Sequence, residues 1–252
     1  AASDPACDPP RYWNGTRPGS QLGLSTTQSL DWGRLQYYQI SYQQVISPSG
    51  WTAYVVGSYT KTKPDMSEVG LEGVDLPGES TNISTTLRHT FIRSRNKNLF
   101  WDTTMDGSNS STDFSTSDLY NDHIRSIRSS ITYDFTDKLR GVNLIYAQAS
   151  QGLNMLGAKA SPPSEADGHL DYTKINGFVS RLQPLSGKWS LFLASDGQYA
   201  GEALLSSEKF GYGGENFGYA YDPYEITGDQ GFSAKTELRY TISGNNSSPK
   251  YM

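Results

Sequence analysis

The sequence predicts an all-β protein: a transmembrane antiparallel β-barrel with a long loop whose aromatic residues need a cavity in which to pack. Three observations predict this fold. Apolar and polar residues alternate along successive segments, the connections alternate between short and long, and aromatic residues stand beside the short ones. A membrane barrel has short turns on one side and long loops on the other, whereas a soluble sandwich needs no such rule. The short turns lie near 47–50, 93–97, 136–138, 184–187 and 244–249, and the long loops near 64–79, 107–119, 153–170 and 202–230.

About ten strands follow from the alternation, and each has one apolar and one polar face. In the segment 98–106, for example, Leu99, Trp101 and Met105 oppose Asp102 and Asp106. Residues 1–20 are rich in turn-forming residues and are predicted to be a loop-like amino-terminal segment, and 21–252 to be the barrel. The predicted strands are 21–27, 34–46, 51–63, 80–92, 98–106, 120–135, 139–152, 171–183, 188–201 and 232–240. The aromatic residues beside the short turns, which suit an interfacial girdle, are Trp51, Phe91, Phe135 and Trp189.

Composition excludes several classes of protein. A net charge of −5 argues against a nucleic-acid-binding protein. No stretch approaches the ~18 apolar residues of a membrane helix, but a barrel strand meets lipid only with alternate residues. Cys7 cannot form an internal disulfide because the chain has 1 cysteine, and the 3 histidines have no metal-site spacing. We therefore expect neither a metal nor another cofactor.

Charged residues fall on the faces opposite the apolar ones. In the core of a soluble sandwich they would be costly, but in a water-filled lumen they cost little. Asp102 and Asp106 share one strand face, so an acid–base pair is the catalytic alternative, yet the sequence offers no nucleophile or enzyme motif beside them. We therefore expect no enzymatic activity. The residues predicted to face the lumen are Arg88, Asp102, Asp106, Arg128, Lys235, Glu237 and Arg239.

Three sequence blocks carry a resemblance to a known family. They are LLSSEKFGYGGENFGYAYDPYEITGDQGFSAKTELRY at 204–240, LRHTFIRSRNKNL at 87–99 and FVSRLQPL at 178–185. The chain resembles the two-partner-secretion transporters, outer-membrane proteins of the haemolysin-activator type, from about residue 15 to residue 251. The first block is the most specific, because its Gly-Gly pair, its tip and its final strand occur in the family's order.

The resemblance implies a sixteen-stranded barrel in the outer membrane of a Gram-negative bacterium. It implies a monomeric pore in contact with outer-membrane lipid. The pore exports one large exoprotein, an adhesin, haemolysin or contact-dependent toxin, without nucleotide hydrolysis. Family members carry POTRA domains before the barrel. Neither these nor the closing strands are recognisable here, so a partial barrel is expected. The alternatives are a barrel-assembly factor of the same superfamily and a soluble all-β binding protein.

The resemblance also implies that the loop 202–230 folds into the lumen as a lid and that its tip touches the barrel wall. In the family the tip usually offers an arginine that pairs with an aspartate on a later strand, and Tyr219 stands at that position here. We expect aromatic packing and a neutral hydrogen bond to hold this tip, more weakly by about 1–2 kcal/mol than a charged bond would. The residues assigned to the tip are Gly213, Gly214, Phe217, Gly218, Tyr219, Ala220, Tyr221, Asp222, Gly228 and Asp229.

Overall fold

The structure of the protein is a computed structural model that describes residues 11–13, 19–30, 33–64, 76–114 and 117–242, with the backbone alone for 11–13. Cys7, the segment 65–75 of one predicted loop and the predicted turn 244–249 lie outside the described residues. Among the described residues, no helix is long and apolar enough to cross a membrane.

The described chain forms one antiparallel sheet in which each strand pairs with the next one along the path. This path of eleven strands is the all-β antiparallel architecture that the sequence predicts. A short strand, β9 (Lys159–Ala160), pairs with β7 off the path, and β12 (Phe210–Tyr212) and β13 (Ile226–Gly228) form a separate hairpin. The strands of the path are β1 (Arg11–Trp13), β2 (Ser20–Gln28), β3 (Leu35–Ser47), β4 (Trp51–Thr62), β5 (Gly78–Arg93), β6 (Lys97–Phe114), β7 (Ser117–Thr136), β8 (Val142–Gly152), β10 (Thr173–Pro184), β11 (Trp189–Ala200) and β14 (Gly231–Tyr240).

The sheet has an apolar face and a polar face. Successive side chains along a strand point to opposite faces, and directly paired residues share a face, so the alternation of each strand continues across the sheet. One apolar row joins Leu24, Ile40, Gly57 and Ile83 across four strands, and the next residue along each strand belongs to a polar row. The large apolar side chains are the exposed ones: Ile83 is 60% and Leu238 61% exposed. A sheet that turns its apolar side chains outward over this many strands matches a lipid-facing wall.

Aromatic rings gather on the apolar face next to the short turns. Trp51 lies 4.4 Å from His89 and 6.3 Å from Trp101, measured between ring centroids. Further along the same edge, the Tyr133 and Phe135 rings stack at 4.7 Å, and the Trp189 and Tyr240 rings lie 4.9 Å apart. All four residues predicted for the girdle belong to ring pairs along this edge, and the pairs above contain three of them, Trp51, Phe135 and Trp189. The fourth, Phe91, packs edge-on against His89 at 4.6 Å.

The prediction of a loop at 107–119 is wrong. The residues 107–119 are not a polar loop, because β6 continues to Phe114 and β7 begins at Ser117. Pairs such as Thr112 with Tyr120 extend the hairpin. Both faces of this extension are rich in polar residues, so apolar alternation does not reveal it. Within 1–20, Arg11–Trp13 forms β1 and pairs with β2.

The strand predicted from 139 begins later, at Val142. Asp137 explains the delay, because its Oδ1 accepts hydrogen bonds from the backbone N–H groups of Leu139 and Gly141 and so holds a tight turn. The Arg181 guanidinium, which lies in the SRLQPL block, donates a 2.5 Å bond to the same carboxylate and lowers the pKa of Asp137. This arginine is therefore a partner of the short turn between β7 and β8.

Candidate functional site

The loop between β11 and β14, residues 201–230, lies against the polar face and has a buried base. Leu204 and Leu205 are fully buried, and they pack with Ile124 of β7, with Tyr172 and with Ala200 at the end of β11. This is the apolar core cluster that the described residues form. It fixes the place where the loop turns back onto the sheet, at the end remote from the short turns.

Glu208 follows in a 3₁₀ turn, Ser206–Glu208, and is bound by two cations of the sheet. We call Glu208, these two cations and the aspartate bound to one of them the clamp; its members are Glu208, Arg128, Lys174 and Asp106. Its carboxylate lies 2.7 Å from Arg128 Nη2 of β7 and 2.7 Å from Lys174 Nζ of β10. Its backbone carbonyl accepts bonds from Lys174 Nζ at 2.8 Å and from Gln198 Nε2 at 3.0 Å. Burial opposes ionisation of Glu208, but the hydrogen bonds and charges of Arg128 and Lys174 outweigh it and lower the pKa of this carboxyl.

Arg128 extends the clamp into the sheet. Its Nε lies 2.7 Å from Asp106 Oδ1 on β6, and Ser126 Oγ donates to both oxygens of that carboxylate. Two cations and two anions thus form a neutral cluster that is largely shielded from solvent, with Glu208 7% and Lys174 6% exposed. In such a cluster, removing one member leaves its partner buried without compensation.

Beyond the clamp the chain forms the β12–β13 hairpin and then a tight tip. Gly213 has a φ of +122°, and a Cβ there would clash with the carbonyl oxygen of Asp222. Gly218 has a φ of +94°, and a Cβ would come within 2.9 Å of the Tyr212 ring. Glycine is the residue that adopts this conformation without a steric cost. The two glycines therefore let the tip fold tightly onto its own hairpin.

The tip lies over β14. Tyr219 Oη donates a 3.3 Å hydrogen bond to Glu237 Oε1. The Lys235 ammonium stands 5.3 Å from the Tyr219 ring centroid, 5.6 Å from that of Phe217 and 5.5 Å from that of Phe192 on β11. The expected aromatic packing is present in this form. The expected neutral hydrogen bond is not, because the acceptor is the carboxylate of Glu237 on β14.

The predicted tip residues do not all lie at the tip. Backbone hydrogen bonds around the turn join five of them: Gly213, Gly214, Phe217, Gly218 and Tyr221. Ala220 lies within the same turn, and Asp222 donates its N–H to the Glu225 carboxylate. Gly228 and Asp229 lie instead at the base: Gly228 pairs with Phe210, and Asp229 Oδ1 accepts from the N–H of Leu204 at 2.9 Å. The hairpin brings them back there, which their position in the sequence does not reveal.

The residues predicted to face the lumen all lie on the polar face, in three groups. Asp106 and Arg128 belong to the clamp, and Lys235, Glu237 and Arg239 form a row under the tip, where Glu237 is 3.1 Å from Lys235 and 2.6 Å from Arg239. The third group is a separate pair, in which Arg88 contacts both oxygens of Asp102 at 2.7 and 2.8 Å. Both aspartates are therefore bound to arginines, which does not suit the acid–base alternative.

Sequence reasoning misses Glu208, Lys174 and Gln198. Glu208 lies inside the LLSSEKF block, so the resemblance includes this residue, but it does not reveal that Glu208 binds two cations of the sheet. Lys174 is the first charged residue on the polar side of β10, where alternation alone could have placed it. Among the described residues, no three His, Cys, Asp or Glu side chains come together as they would around a metal ion.

The comparisons agree with this architecture. A family model described as "Haemolysin secretion/activation protein ShlB/FhaC/HecB" matches residues 20–251. CdiB from Escherichia coli is similar in structure with a TM-score of 0.62 and 13% identity, over 90% of this chain and 46% of that one. CdiB from Acinetobacter baumannii is similar with a TM-score of 0.63 and 17% identity, over 90% of this chain and 41% of that one. This chain thus spans less than half the length of either.

No curated protein sequence gives a significant match. At these identities the structural likeness shows the fold, and the family model, which covers nearly the whole chain, shows the family. The chain belongs to the haemolysin secretion/activation family ShlB/FhaC/HecB, the outer-membrane β-barrel transporters of two-partner secretion in Gram-negative bacteria.

Proposed function

We propose that this chain forms part of the wall and the lid of a pore that exports a large exoprotein across the outer membrane without nucleotide hydrolysis. One observation supports this proposal most strongly: the loop 201–230 lies along the polar face of a sheet whose other face exposes its apolar side chains. When such a sheet closes into a barrel, the polar face lines the lumen and the loop occupies it.

In this proposal the polar face is the lumen wall, and the loop is the lid over part of it. Outer-membrane lipid contacts the apolar face between the aromatic rings and the opposite edge. We propose that the pore is a monomer; a closed barrel has no strand edge left through which a second copy could pair. The residues that face the lumen are Arg88, Asp102, Asp106, Arg128, Lys235, Glu237 and Arg239.

The loop lengths support an orientation in the membrane. Outer-membrane barrels have short periplasmic turns and longer external loops. The turns at 47–50, 93–97 and 184–187 then lie in the periplasm, and 64–79, the β6–β7 hairpin tip and 153–170 lie outside. The exported partner is an exoprotein of a class that two-partner secretion handles: an adhesin, a haemolysin or a contact-dependent toxin.

Secretion tests the function, and labelling tests the orientation. The full-length protein that carries this chain is produced together with the exoprotein encoded beside it. We expect these cells to release the exoprotein into the medium, and cells that carry an empty vector in place of the transporter to retain it. Single cysteines at Ser110 and Ser164 are expected to react with a membrane-impermeant reagent on intact cells, whereas cysteines at Ser49 and Lys188 are not. Retention of the exoprotein in the periplasm would contradict the function, and the reverse labelling pattern would contradict the orientation.

A further inference from the structure

The apolar face of the sheet has a groove at a position where β4 lacks a side chain. Gly57 lies in the apolar row between Ile40 of β3 and Ile83 of β5. The groove above it has a volume of about 580 Å³, which is within the range of ligand pockets. Because the side chains around it are largely apolar, the groove suits a hydrocarbon chain. These side chains are Leu24, Tyr38, Ile40, Tyr59 and Ile83.

Positive charge lies on the same face beyond the groove, toward the segment 64–79. Lys61 follows Gly57 at an even spacing along β4, so it shares the apolar face, and its Nζ lies 2.6 Å from Glu79 Oε1. The backbone N–H of Lys63 donates a 2.8 Å bond to the carbonyl of Arg34, which continues the register of β3 and β4. Alternation therefore places Arg34 and Lys63 on this face as well. Among the described residues at this edge of β3 to β5, the apolar face thus carries three cations and one anion.

The height of these cations matches that of a membrane interface. Trp51, one of the aromatic residues beside the short turns, and Lys61 lie on the same face at positions 51 and 61 of β4. At about 3.3 Å per residue they are about 33 Å apart along the strand, or about 25 Å across the membrane at a tilt of about 40°. The apolar band of an outer-membrane barrel is about 25 Å tall. The cations therefore stand at the level of lipid headgroups, and the groove lies below them at the level of acyl chains.

Resting on the proposed export function and its orientation, we propose that this edge is a binding site for a phosphorylated glycolipid of the outer leaflet, with lipid A as its simplest form. The phosphates of the glycolipid bind to Lys61, Lys63 and Arg34. One of its acyl chains lies in the groove above Gly57. The site thus holds a specific lipid on the outer wall of the barrel, whereas the rest of the apolar face is covered by whichever lipid is present.

Charge complementarity is the argument for this occupant. Ammonium and guanidinium groups form charge-assisted hydrogen bonds with phosphate oxygens. The Lys61 ammonium has three donors and gives one bond to Glu79, so a phosphate can share this cation without displacing the carboxylate. Both side chains of that pair are partly exposed, Lys61 to 43% and Glu79 to 47%, which leaves them within reach of a headgroup. A zwitterionic phospholipid offers less negative charge to such a site than a glycolipid phosphate does.

Two pairs of variants separate the groove and the charges from general effects on the barrel. Gly57→Leu fills the groove, and a Cβ there would meet Ile40 Cγ2 at an ordinary 3.6 Å. Its control is Gly177→Leu on the apolar face of β10, where a Cβ meets nothing within 4 Å. Lys61→Gln combined with Lys63→Gln removes two cations from the site. The matched control, Lys138→Gln combined with Lys188→Gln, removes two cations beside the short turns at the opposite interface.

Native mass spectrometry of the full-length protein in phosphatidylethanolamine nanodiscs measures the binding of added lipid A. We expect Gly57→Leu and the Lys61/Lys63 variant to bind it several-fold more weakly than the wild type, and both controls to bind it as the wild type does. Lipid A without its phosphates should bind the wild type several-fold more weakly. The heat-dependent shift of the folded band on a gel verifies that each variant is folded.

Equal binding of lipid A by all variants would overturn the site, and so would equal binding of phosphatidylglycerol and lipid A by the wild type. A dimer that is lost in Gly57→Leu would show that a second copy occupies the groove, which would also overturn the proposal. In each of these cases a transporter that still releases its exoprotein leaves the proposed function intact. Failure to release the exoprotein would instead contradict the proposed function, whatever the lipid measurement gives.

Discussion

The base and the tip of the loop are held on the same polar face by different chemistry. At the base, Glu208 is buried and bound by two cations, and Leu204 and Leu205 fill a small apolar core. At the tip, Tyr219 is 72% exposed and makes one 3.3 Å hydrogen bond beside a lysine. We therefore expect the base to act as an anchor and the tip as a latch, meaning a contact that opens at small cost. The difference teaches that one loop can be bound by buried charges at one end and by a single exposed contact at the other.

The largest expected effect is at the base. Glu208→Gln leaves Arg128 and Lys174 buried with Asp106 as their remaining carboxylate, and breaking such a cluster costs about 3–5 kcal/mol. We expect faster hydrogen exchange in 204–212 in the full-length protein, measured in lipid nanodiscs. The matched control is Glu202→Gln in the same loop, because Glu202 is exposed and accepts one bond from the N–H of Thr173. Equal protection in Glu208→Gln and the wild type would contradict the anchor.

The second prediction tests the face on which both ends of the loop lie. Leu238→Arg should cost about 2–4 kcal/mol if this residue meets lipid near the bilayer midplane. Its neighbour Glu237 is on the polar face, so Glu237→Gln should have little effect on folding although it weakens the latch. Folding yield in lipid vesicles and the heat-dependent shift of the folded band on a gel measure both. If the two variants proved equally harmless, the assignment of faces would be wrong.

The faces of the sheet could be predicted because they depend on a period of two within each strand. Every predicted lumen residue from Arg88 to Arg239 lies on the polar face for this reason. The hairpin at 107–119 could not be predicted, because it is polar on both sides and extends past the region where alternation is informative.

The clamp could not be predicted either. Arg128 and Glu208 are 80 residues apart, and their contact depends on the register of β7 and on the path of the loop. Neither is a local property of the sequence. Tyr219 illustrates the opposite case, because its place in an ordered block put it at the tip, while the identity of its partner, Glu237, required the structure.

The third prediction addresses the latch. Tyr219→Ala removes one hydrogen bond to a carboxylate and one ring beside Lys235, at a cost of about 1–2 kcal/mol. We expect a higher open probability in single-channel recordings of the full-length protein, with normal folding. Tyr219→Phe keeps the ring and should lie between Ala and the wild type. Tyr219→Arg, which can form an ion pair with Glu237, should lower the open probability. Unchanged conductance and secretion in all three variants would rule out Tyr219 as a latch.

The smallest expected effect is that of mild acid on hydrogen exchange at the base of the loop. This measurement distinguishes a buried, ionised Glu208 from an ordinary surface carboxylate. Because the pKa of Glu208 is lower in the folded loop than in an unfolded chain, its ionised form stabilises the loop at every pH above the unfolded pKa. That stabilisation is lost as the pH falls through the lower, folded pKa. The facing groups are Arg128, Lys174, Asp106 and Tyr172. Arg128 and Lys174 are cations that keep Glu208 ionised. Hydrogen exchange in 204–212 should therefore be the same at pH 7 and pH 5 once corrected for intrinsic rates, and should rise only in stronger acid. Opening of the base already between pH 7 and pH 5 would mean that the clamp does not hold Glu208 as an ion.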